Sequence, residues 1–412
     1  MDLFNTPHGG ELINRILVGD ERKKELAKAE KYTKLSLDLI EMNDLELIAT
    51  GAYSPLTGFM GQEDYLSVLK RNYLNNGVLW TVPITLKVPA KTANNIKINN
   101  WIALTEKDGK ILATMHVTDL FELDKELEIQ LLYQAKRVRQ AEMEHLYQNR
   151  EIAIGGDIFL LNRPGYVKAS PFRLDPAGVR QKFDDLGWKR IVSFQSPNPI
   201  SHSQDSIEKF ALDIVDGLLW LPQLGEAKIG KLMLKKKLEY QQEMIEYYYP
   251  PERIVLNYLP WISRQAGPRE AVLEALVRKN YGCTHYIVAE KQYRIYNFYN
   301  IMDFRRIFEE IPVDDLGITP IFAEETFYCR KCGKVVTAQI CPHDRFFNEM
   351  LNPVLPNEML SKGDIPPLEF SGEGILPLIA NKFWNENSSD APVPGESIYE
   401  LNPKLQRLID NC

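Results

Sequence analysis

Lys189-Arg190-Ile191-Val192-Ser193-Phe194-Gln195-Ser196-Pro197-Asn198-Pro199-Ile200-Ser201-His202-Ser203-Gln204-Asp205-Ser206-Ile207-Glu208-Lys209-Phe210-Ala211-Leu212-Asp213-Ile214-Val215-Asp216-Gly217 is one continuous run near the middle of a 412-residue chain. After the basic pair, Ile191–Phe194 reads as a short buried strand. A polar turn with Pro197 and Pro199 follows. Ser201 or Ser203 can then cap a helix whose apolar face is Ile207, Phe210, Ala211, Ile214 and Val215. Strand, tight turn and helix N-terminus together make an anion site, because the first free N–H groups and the positive end of the helix dipole point the same way.

Outward from this run, the pattern on both sides differs. From Asp175 onward short strands alternate with helical stretches, with Ile191–Phe194, Ile254–Leu256, Tyr286–Val288 and Thr319–Phe322 as the strands. Such alternation predicts a parallel sheet with crossover helices, whose ligands sit beyond the carboxyl ends of the strands. The strand ending at Gln195, the loop Trp261–Arg269 and the loop after Val288 would then share one rim. Residues before about 165 carry short β-like runs instead: Trp80–Val88, Trp101–Leu104 and Ile111–Val117, parted by turns such as Asn75-Asn76-Gly77 and Lys107-Asp108-Gly109-Lys110. Two helical insertions are expected near 20–43 and 124–149, and Asn162–Pro171 reads as a linker.

Composition narrows the class. Hydrophobic residues at 44% and charged ones at 25% describe a globular chain long enough for two or three domains. A net charge of −7 gives no general nucleic-acid footprint. No apolar run is long enough for a membrane span, and Met1–His8 lacks a signal-peptide pattern, so a cytoplasmic protein is expected.

Three of the five cysteines lie close together, in Cys329-x2-Cys332-x8-Cys341-x-His343. Three thiolates and an imidazole suit a closed, tetrahedral structural Zn²⁺ site, and Gly333 lets the knuckle turn bend so that N–H groups reach sulfur. An empty module or a redox Cys-x-x-Cys are the other readings. His343, two residues after Cys341, needs a tight turn to serve as the fourth ligand.

Several long strings, in order, resemble ATP sulfurylase (sulfate adenylyltransferase). They are Pro7-His8-Gly9-Gly10-Glu11-Leu12, Gly51-Ala52-Tyr53-Ser54-Pro55-Leu56-Thr57-Gly58-Phe59-Met60-Gly61, Ala266-Gly267-Pro268-Arg269-Glu270-Ala271 and Arg278-Lys279-Asn280-Tyr281-Gly282-Cys283-Thr284-His285. The resemblance spans nearly all of residues 1–385. It implies an α/β multi-domain protein: a β-rich PUA-like domain over 1–168, a nucleotidyltransferase-like, Rossmann-like parallel-sheet domain over 169–325, and a small zinc-containing C-terminal domain over 326–385. The tail 386–412 is expected to be largely disordered. The implied reaction joins sulfate to the α-phosphorus of Mg-ATP, giving adenosine 5′-phosphosulfate and pyrophosphate. Such a site works by positioning two anions and neutralising the leaving group. Some family members carry zinc where Cys329–His343 stand, and members commonly form homo-oligomers.

The resemblance also locates the substrate segments and shows where this chain departs. The family's Gln-Thr-Arg-Asn-Pro is Gln195-Ser196-Pro197-Asn198-Pro199 here, so Gln195 and Asn198 remain as substrate-binding candidates without the arginine. The His-x-x-His that follows is Ser201-His202-Ser203-Gln204, with His202 one residue out of frame. Gly-Arg-Asp-His-Ala-Gly becomes Ala289-Glu290-Lys291-Gln292-Tyr293-Arg294, leaving Lys291 and Arg294 as cations of that loop. Leu-Ser-Gly-Thr becomes Leu351-Asn352-Pro353-Val354. Two functions follow. One is a divergent sulfate adenylyltransferase whose anion site is rebuilt with His202 and Arg294 as catalytic groups and Lys291 as a binder. The other is an inactive paralogue that acts as a structural or regulatory partner, perhaps of an active ATP sulfurylase. Each candidate also has a plain structural reading: His202 as an exposed polar residue of a first helical turn, Gln195 and Asn198 as turn amides, Lys291 and Arg294 as solvated loop charges.

Overall fold

The computed structural model describes residues 6–132, 150–165, 172–194, 202–222, 241–242, 245–246, 249–264, 266–289, 301–324, 326–344 and 348–350. Gln195, Asn198, Lys291, Arg294, the aromatic run Tyr293–Tyr299, Leu351–Val354 and the tail from 386 lie outside these residues. Two compact units divide the chain. The first draws on Met1–Gln195, Val215–Gln241 and Glu252–Phe322, the second on Ser196–Ile214, Gln242–Pro251 and Ala323–Cys412.

In the first unit a six-stranded sheet is built from β1 (Thr33–Ser36), β2 (Gly58–Phe59), β3 (Leu86–Val88), β4 (Trp101–Thr105), β5 (Ile111–Glu122) and β6 (Ile152–Leu160). Its order is β1-β4-β5-β6-β2, with β3 also on β6. β1 runs parallel to β4, and the pairs β4–β5, β5–β6, β6–β2 and β6–β3 are antiparallel. The register of β5 on β6 shifts between Val117 and Asp119, opposite Gly156. A Cβ on Gly156 would stand 2.0 Å from the His116 carbonyl, so only glycine fits this bulged crossing.

The expected strands at Trp101 and Ile111 are present, the second running on to Glu122. Two expectations change. Trp80–Val88 becomes strand only from Leu86, because Pro83 has no ladder donor and the Trp80 indole N–H turns inward to the Val82 carbonyl at 2.7 Å. The stretch 20–43 is two helices, Gly19–Ala29 and Leu39–Ala49, around β1. Asp38 starts the second: its carboxylate accepts from Glu41 N while Glu41 reaches back to Asp38 N, a capping box. Of the expected insertion at 124–149, a helix at Lys125–Leu131 is described, and residues 133–149 are outside the described set.

The first unit's second sheet holds β7 (Ile191–Phe194), β8 (Gly217–Trp220), β9 (Ile254–Leu256), β10 (His285–Ala289) and β11 (Thr319–Ala323) in the order β11-β10-β7-β8-β9. β10, β7, β8 and β9 are mutually parallel. The four expected strands are all there, and β8 is an addition. It begins where Asp216 ends the preceding chain, its carboxylate accepting from Lys189 N at 2.9 Å and Arg190 N at 2.7 Å. One continuous apolar core runs under both sheets of this unit.

Helix Pro268–Asn280 crosses that core and is buried along almost its whole length. Its last residues begin Arg278–His285, one of the strings that carried the resemblance. Arg278 is fully buried, its guanidinium 3.4 Å from Glu274 and 5.3 Å from the Tyr286 ring centre, and Tyr286 Oη donates to Glu274 at 2.7 Å. Asn280 donates to the Ala52 and Ser54 carbonyls at 3.0 and 3.1 Å and accepts from His8 N at 2.8 Å. Cys283 is buried in the core as expected, whereas His285, which opens β10, is only half-buried, its Nδ1 2.8 Å from Thr284 Oγ1.

In the second unit β12 (Thr326–Cys329), β13 (Lys334–Thr337) and β14 (Asn348–Met350) form an antiparallel sheet in the order β13-β12-β14. Helix His202–Leu212 belongs to this unit and packs against β13. Ala211 is buried as expected, but Phe210 and Ile214 are 67% and 49% exposed, and Glu208 is buried in their stead. The reason is polar: Tyr249 Oη donates to Glu208 at 2.5 Å. No described helix is long and apolar enough to cross a membrane.

The first of the resembling strings also sets a pH response. His8 is buried, and its Nε2 lies 2.6 Å from the Leu79 carbonyl. Burial brings its pKa down from 6.5 to about 4. Above 6.5 neither state is protonated there; below it the unfolded chain takes up a proton that the native chain refuses. Stability therefore falls as pH drops from 6.5 towards 4, by about 3 kcal/mol for the full gap. Urea midpoints at about pH 7.5 and about pH 4.5 should differ less in His8→Gln than in the native chain; equal differences in the two proteins would exclude His8 as the cause.

Candidate functional site

Two places hold the residues singled out by the sequence. The first is the carboxyl edge of the parallel sheet. Because β10, β7, β8 and β9 run parallel, their last residues Ala289, Phe194, Trp220 and Leu256 lie on one edge. β7 and β10 are neighbours, with Ser193 opposite Tyr286. The chain bearing Gln195 and Asn198 and the chain bearing Lys291 and Arg294 thus leave from adjacent strands at the edge where ligands bind in such sheets. The loop after β9 leaves there too. His202 is the first residue of helix His202–Leu212.

Two further arginines near that rim are committed to the fold. Arg264 pairs its guanidinium with Asp44 of helix Leu39–Ala49, and Asp44 is buried. Arg269 donates to the Val68 and Leu69 carbonyls at 3.4 and 3.0 Å, neutralising the end of helix Gln62–Arg71. The loop between them is gathered by Glu270, whose carboxylate accepts from Arg264 N at 2.8 Å, Ala266 N at 3.0 Å and Ser263 Oγ at 3.1 Å. Burial, with Glu274 nearby, raises the Glu270 pKa to about 7 in spite of those donors. Sequence reasoning did not single out Asp44, although the signal was there: acidic residues inside an otherwise apolar helix, Leu39–Ala49.

The second place is the Cys/His cluster, and here the structure brings all four expected ligands together. Sγ of Cys329, Cys332 and Cys341 and a ring nitrogen of His343 lie within 4.8 Å of one another. β12 ends at Cys329, and the turn into β13 is closed by Gly333 N donating to the Cys329 carbonyl at 2.8 Å, with Gly333 at φ +65. Cys332 N lies 3.4 Å from Cys329 Sγ, the N–H to sulfur contact expected of a knuckle. A second turn, Cys341 N to the Thr337 carbonyl at 3.1 Å, brings Cys341 back, and His343 follows.

The donor spacing fits one cation. Around a tetrahedral ion with sulfur at about 2.3 Å and nitrogen at about 2.05 Å, two sulfurs stand about 3.8 Å apart and a sulfur and a nitrogen about 3.6 Å. Cys332 and Cys341 Sγ are 3.8 Å apart, and His343 Nδ1 is 3.5, 3.3 and 3.8 Å from Cys329, Cys332 and Cys341. Burial opposes ionisation of Cys329, yet the Cys332 amide and the neighbouring thiols and imidazole bring it down to about 6. Burial and the neighbouring Cys329 and Cys341 sulfurs push Cys332 up to about 11. A divalent cation would replace the protons these donors share. Among the described residues, Phe327, Cys329 and Val336 form the apolar cluster beside the four donors, with Cys332 and Cys341 against it. Small modules commonly gain a further tie from a bound metal.

Residues 170–381 match the ATP-sulfurylase family and residues 5–163 a PUA-like domain. A sulfate adenylyltransferase of Synechococcus sp. (strain JA-3-3Ab) is 41% identical over 374 residues, covering 91% of this chain and 95% of that protein. The chain belongs to the ATP-sulfurylase family. A sulfate adenylyltransferase of Symbiobacterium thermophilum is 40% identical over 89% of this chain and 93% of its own length. Among solved structures, the hexameric APS kinase from Thiobacillus denitrificans shares the fold at a TM-score of 0.72, with 23% identity over 91% of this chain and 68% of that one.

The Arg264–Asp44 pair gives a direct test of its structural assignment. Arg264→Met leaves a buried carboxylate without its partner and should lower stability by about 3–5 kcal/mol. A urea midpoint within error of the native chain would overturn the structural assignment of Arg264.

Proposed function

We propose that this chain is a sulfate adenylyltransferase, converting ATP and sulfate to adenosine 5′-phosphosulfate and pyrophosphate. The observation that carries the proposal is 41% identity to a sulfate adenylyltransferase along 95% of that protein's length. In the reaction a sulfate oxygen forms a bond to the α-phosphorus and the bond from that phosphorus to the bridging oxygen breaks, so pyrophosphate leaves with that electron pair. No protein nucleophile is needed. Gln195 and Asn198 would hold substrate oxygens at the end of β7. Lys291 would bind phosphate at the end of β10, with His202 and Arg294 neutralising charge that builds on the departing pyrophosphate. Mg-ATP is the substrate form.

Cys329, Cys332, Cys341 and His343 would hold Zn²⁺. Three thiolates and one imidazole form a donor set of the softness zinc takes, and four protein ligands leave no open position. The ion's part is structural: it ties the β12–β13 turn to Cys341 and His343. We further assign residues 1–168, 169–325 and 326–385 as the three domains, and a homo-oligomer in the cytoplasm as the working state.

The deciding assay runs the reaction backwards. Folded protein, adenosine 5′-phosphosulfate and pyrophosphate should yield ATP, read by luciferase; a signal no higher than a heat-killed control would replace the enzyme with a non-catalytic partner protein. Arg294→Ala should lower kcat/KM by about 100- to 1,000-fold, the usual loss on removing one preorganised donor. For the metal, elemental analysis should find about one zinc per chain, and far less in Cys332→Ser; native protein with well under one would remove zinc from the proposal.

A further inference from the structure

We propose that Cys332 and Cys341 form an oxidation site: a hydroperoxide joins this pair in a disulfide and thereby releases the zinc ion of the Cys329/Cys332/Cys341/His343 centre. Release of the ion rests on the zinc assignment above. The pairing of these two sulfurs rests on their placement alone.

The three cysteines are not equivalent. Cys329 is fully buried, whereas Cys332 and Cys341 are partly exposed. Cys329 is also the last residue of β12, the middle strand of its sheet. It stands opposite Lys334 of β13 on one side and Asn348 of β14 on the other. A strand paired on both sides holds its sulfur in place, and the Cys332 amide lies against that sulfur at 3.4 Å. Cys332 and Cys341 stand outside the strands. Cys332 is in the turn from β12 to β13. Cys341 ends a second turn, in which Ile340 N and Cys341 N both donate to the Thr337 carbonyl, at 3.3 and 3.1 Å.

The Sγ atoms of Cys332 and Cys341 are 3.8 Å apart. A disulfide needs about 2.05 Å, so the sulfurs must close on each other. Two turns can absorb that closure without breaking a strand ladder, which a link to Cys329 would strain. The motif Cys329-x-x-Cys332 suggests the other pair, but peroxide reaches the partly exposed sulfurs first, and Cys329 could act only second, from a fixed position.

The chemistry balances with hydrogen peroxide as the oxidant. Bound zinc keeps the sulfurs as thiolates, the form that attacks. One thiolate of the pair attacks a peroxide oxygen; the O–O bond breaks, hydroxide leaves, and the sulfur becomes a sulfenic acid. The second thiolate attacks that sulfur; an S–S bond forms, the S–O bond breaks, and a second hydroxide leaves. Solvent protonates both to water. The two sulfurs have given up two electrons, and the peroxide has taken them. Cys329 and His343 alone then remain on the ion, too few ligands for a structural zinc site, so Zn²⁺ departs.

Peptide mapping of the whole zinc-loaded chain tests the pairing, with a metal-binding dye to follow release. Trypsin cuts after Arg330, Lys331 and Lys334, so Cys329, Cys332 and Cys341 fall on three separate peptides. Hydrogen peroxide should join the peptides of Cys332 and Cys341, leave Cys329 and Cys283 free for alkylation, and release zinc mole for mole with the disulfide. A dithiol reductant with added zinc should restore the starting metal content. A link from Cys329 as the main product would overturn the proposal, as would zinc release without any disulfide or a disulfide that leaves the zinc bound. A chain that carries no zinc before peroxide defeats the zinc assignment instead. The mapping then still decides the pair: a Cys332–Cys341 link in metal-free protein supports the oxidation site, and its absence removes it.

Discussion

The first unit depends on acidic side chains buried in one helix. Helix Leu39–Ala49 carries Asp44 and Glu46 at 3% and 2% exposure, and arginines from distant parts of the chain close on them. Arg264 comes from the loop after β9, Arg173 from the chain before helix Pro176–Asp185, and Arg163, at 3.2 Å from Glu46, from the stretch after β6. Arg163 also reaches Asp175 at 2.5 Å. A buried ion pair is weak as a source of stability but severe as a constraint, because removing either partner strands a charge away from water. The N-terminal sheet and the parallel sheet can therefore share one core only in the arrangement that pairs all these groups.

Among the described residues of the second unit, Phe327, Cys329 and Val336 form an apolar cluster, and four soft donors converge beside it. A metal ion held by those donors would add coordination to burial as a tie between the β12–β13 turn, Cys341 and His343. Helix His202–Leu212 belongs to the same unit.

What the sequence made legible follows from range. The alternation of strand and helix after Asp175, and the Cys/His spacing, are local patterns, and both appear in the structure, with four converging ligands in the second case. β8 escaped notice because Ile214 and Val215 continue the helical periodicity, and the stop comes from Asp216 binding Lys189 and Arg190 far back in sequence. The inward turn of Glu208 was illegible for the same reason: Tyr249, its partner, lies 41 positions away. The roles of Gln195, Asn198, Lys291 and Arg294 remain at the level of their adjacent exit points from β7 and β10.

The strings that carried the resemblance turn out to be the ones that hold the fold. His8 and Asn280 bind each other, Asn280 spans the Ala52–Ser54 turn, Arg278 is closed in by Glu274 and Tyr286, and Arg269 ends another helix. His8, Asn280 and Arg278 are buried polar groups with defined partners, so each tolerates little change without leaving a donor or charge unpaired. This chain matches a sulfate adenylyltransferase at 41% identity while Pro197 and Glu290 stand where the resemblance expects arginines. Likeness in the buried strings establishes architecture, and the edge residues determine what that architecture still binds. Glu290 adds a negative charge to a stretch whose nearest cations in sequence are Lys291 and Arg294, so the net charge there depends on all three.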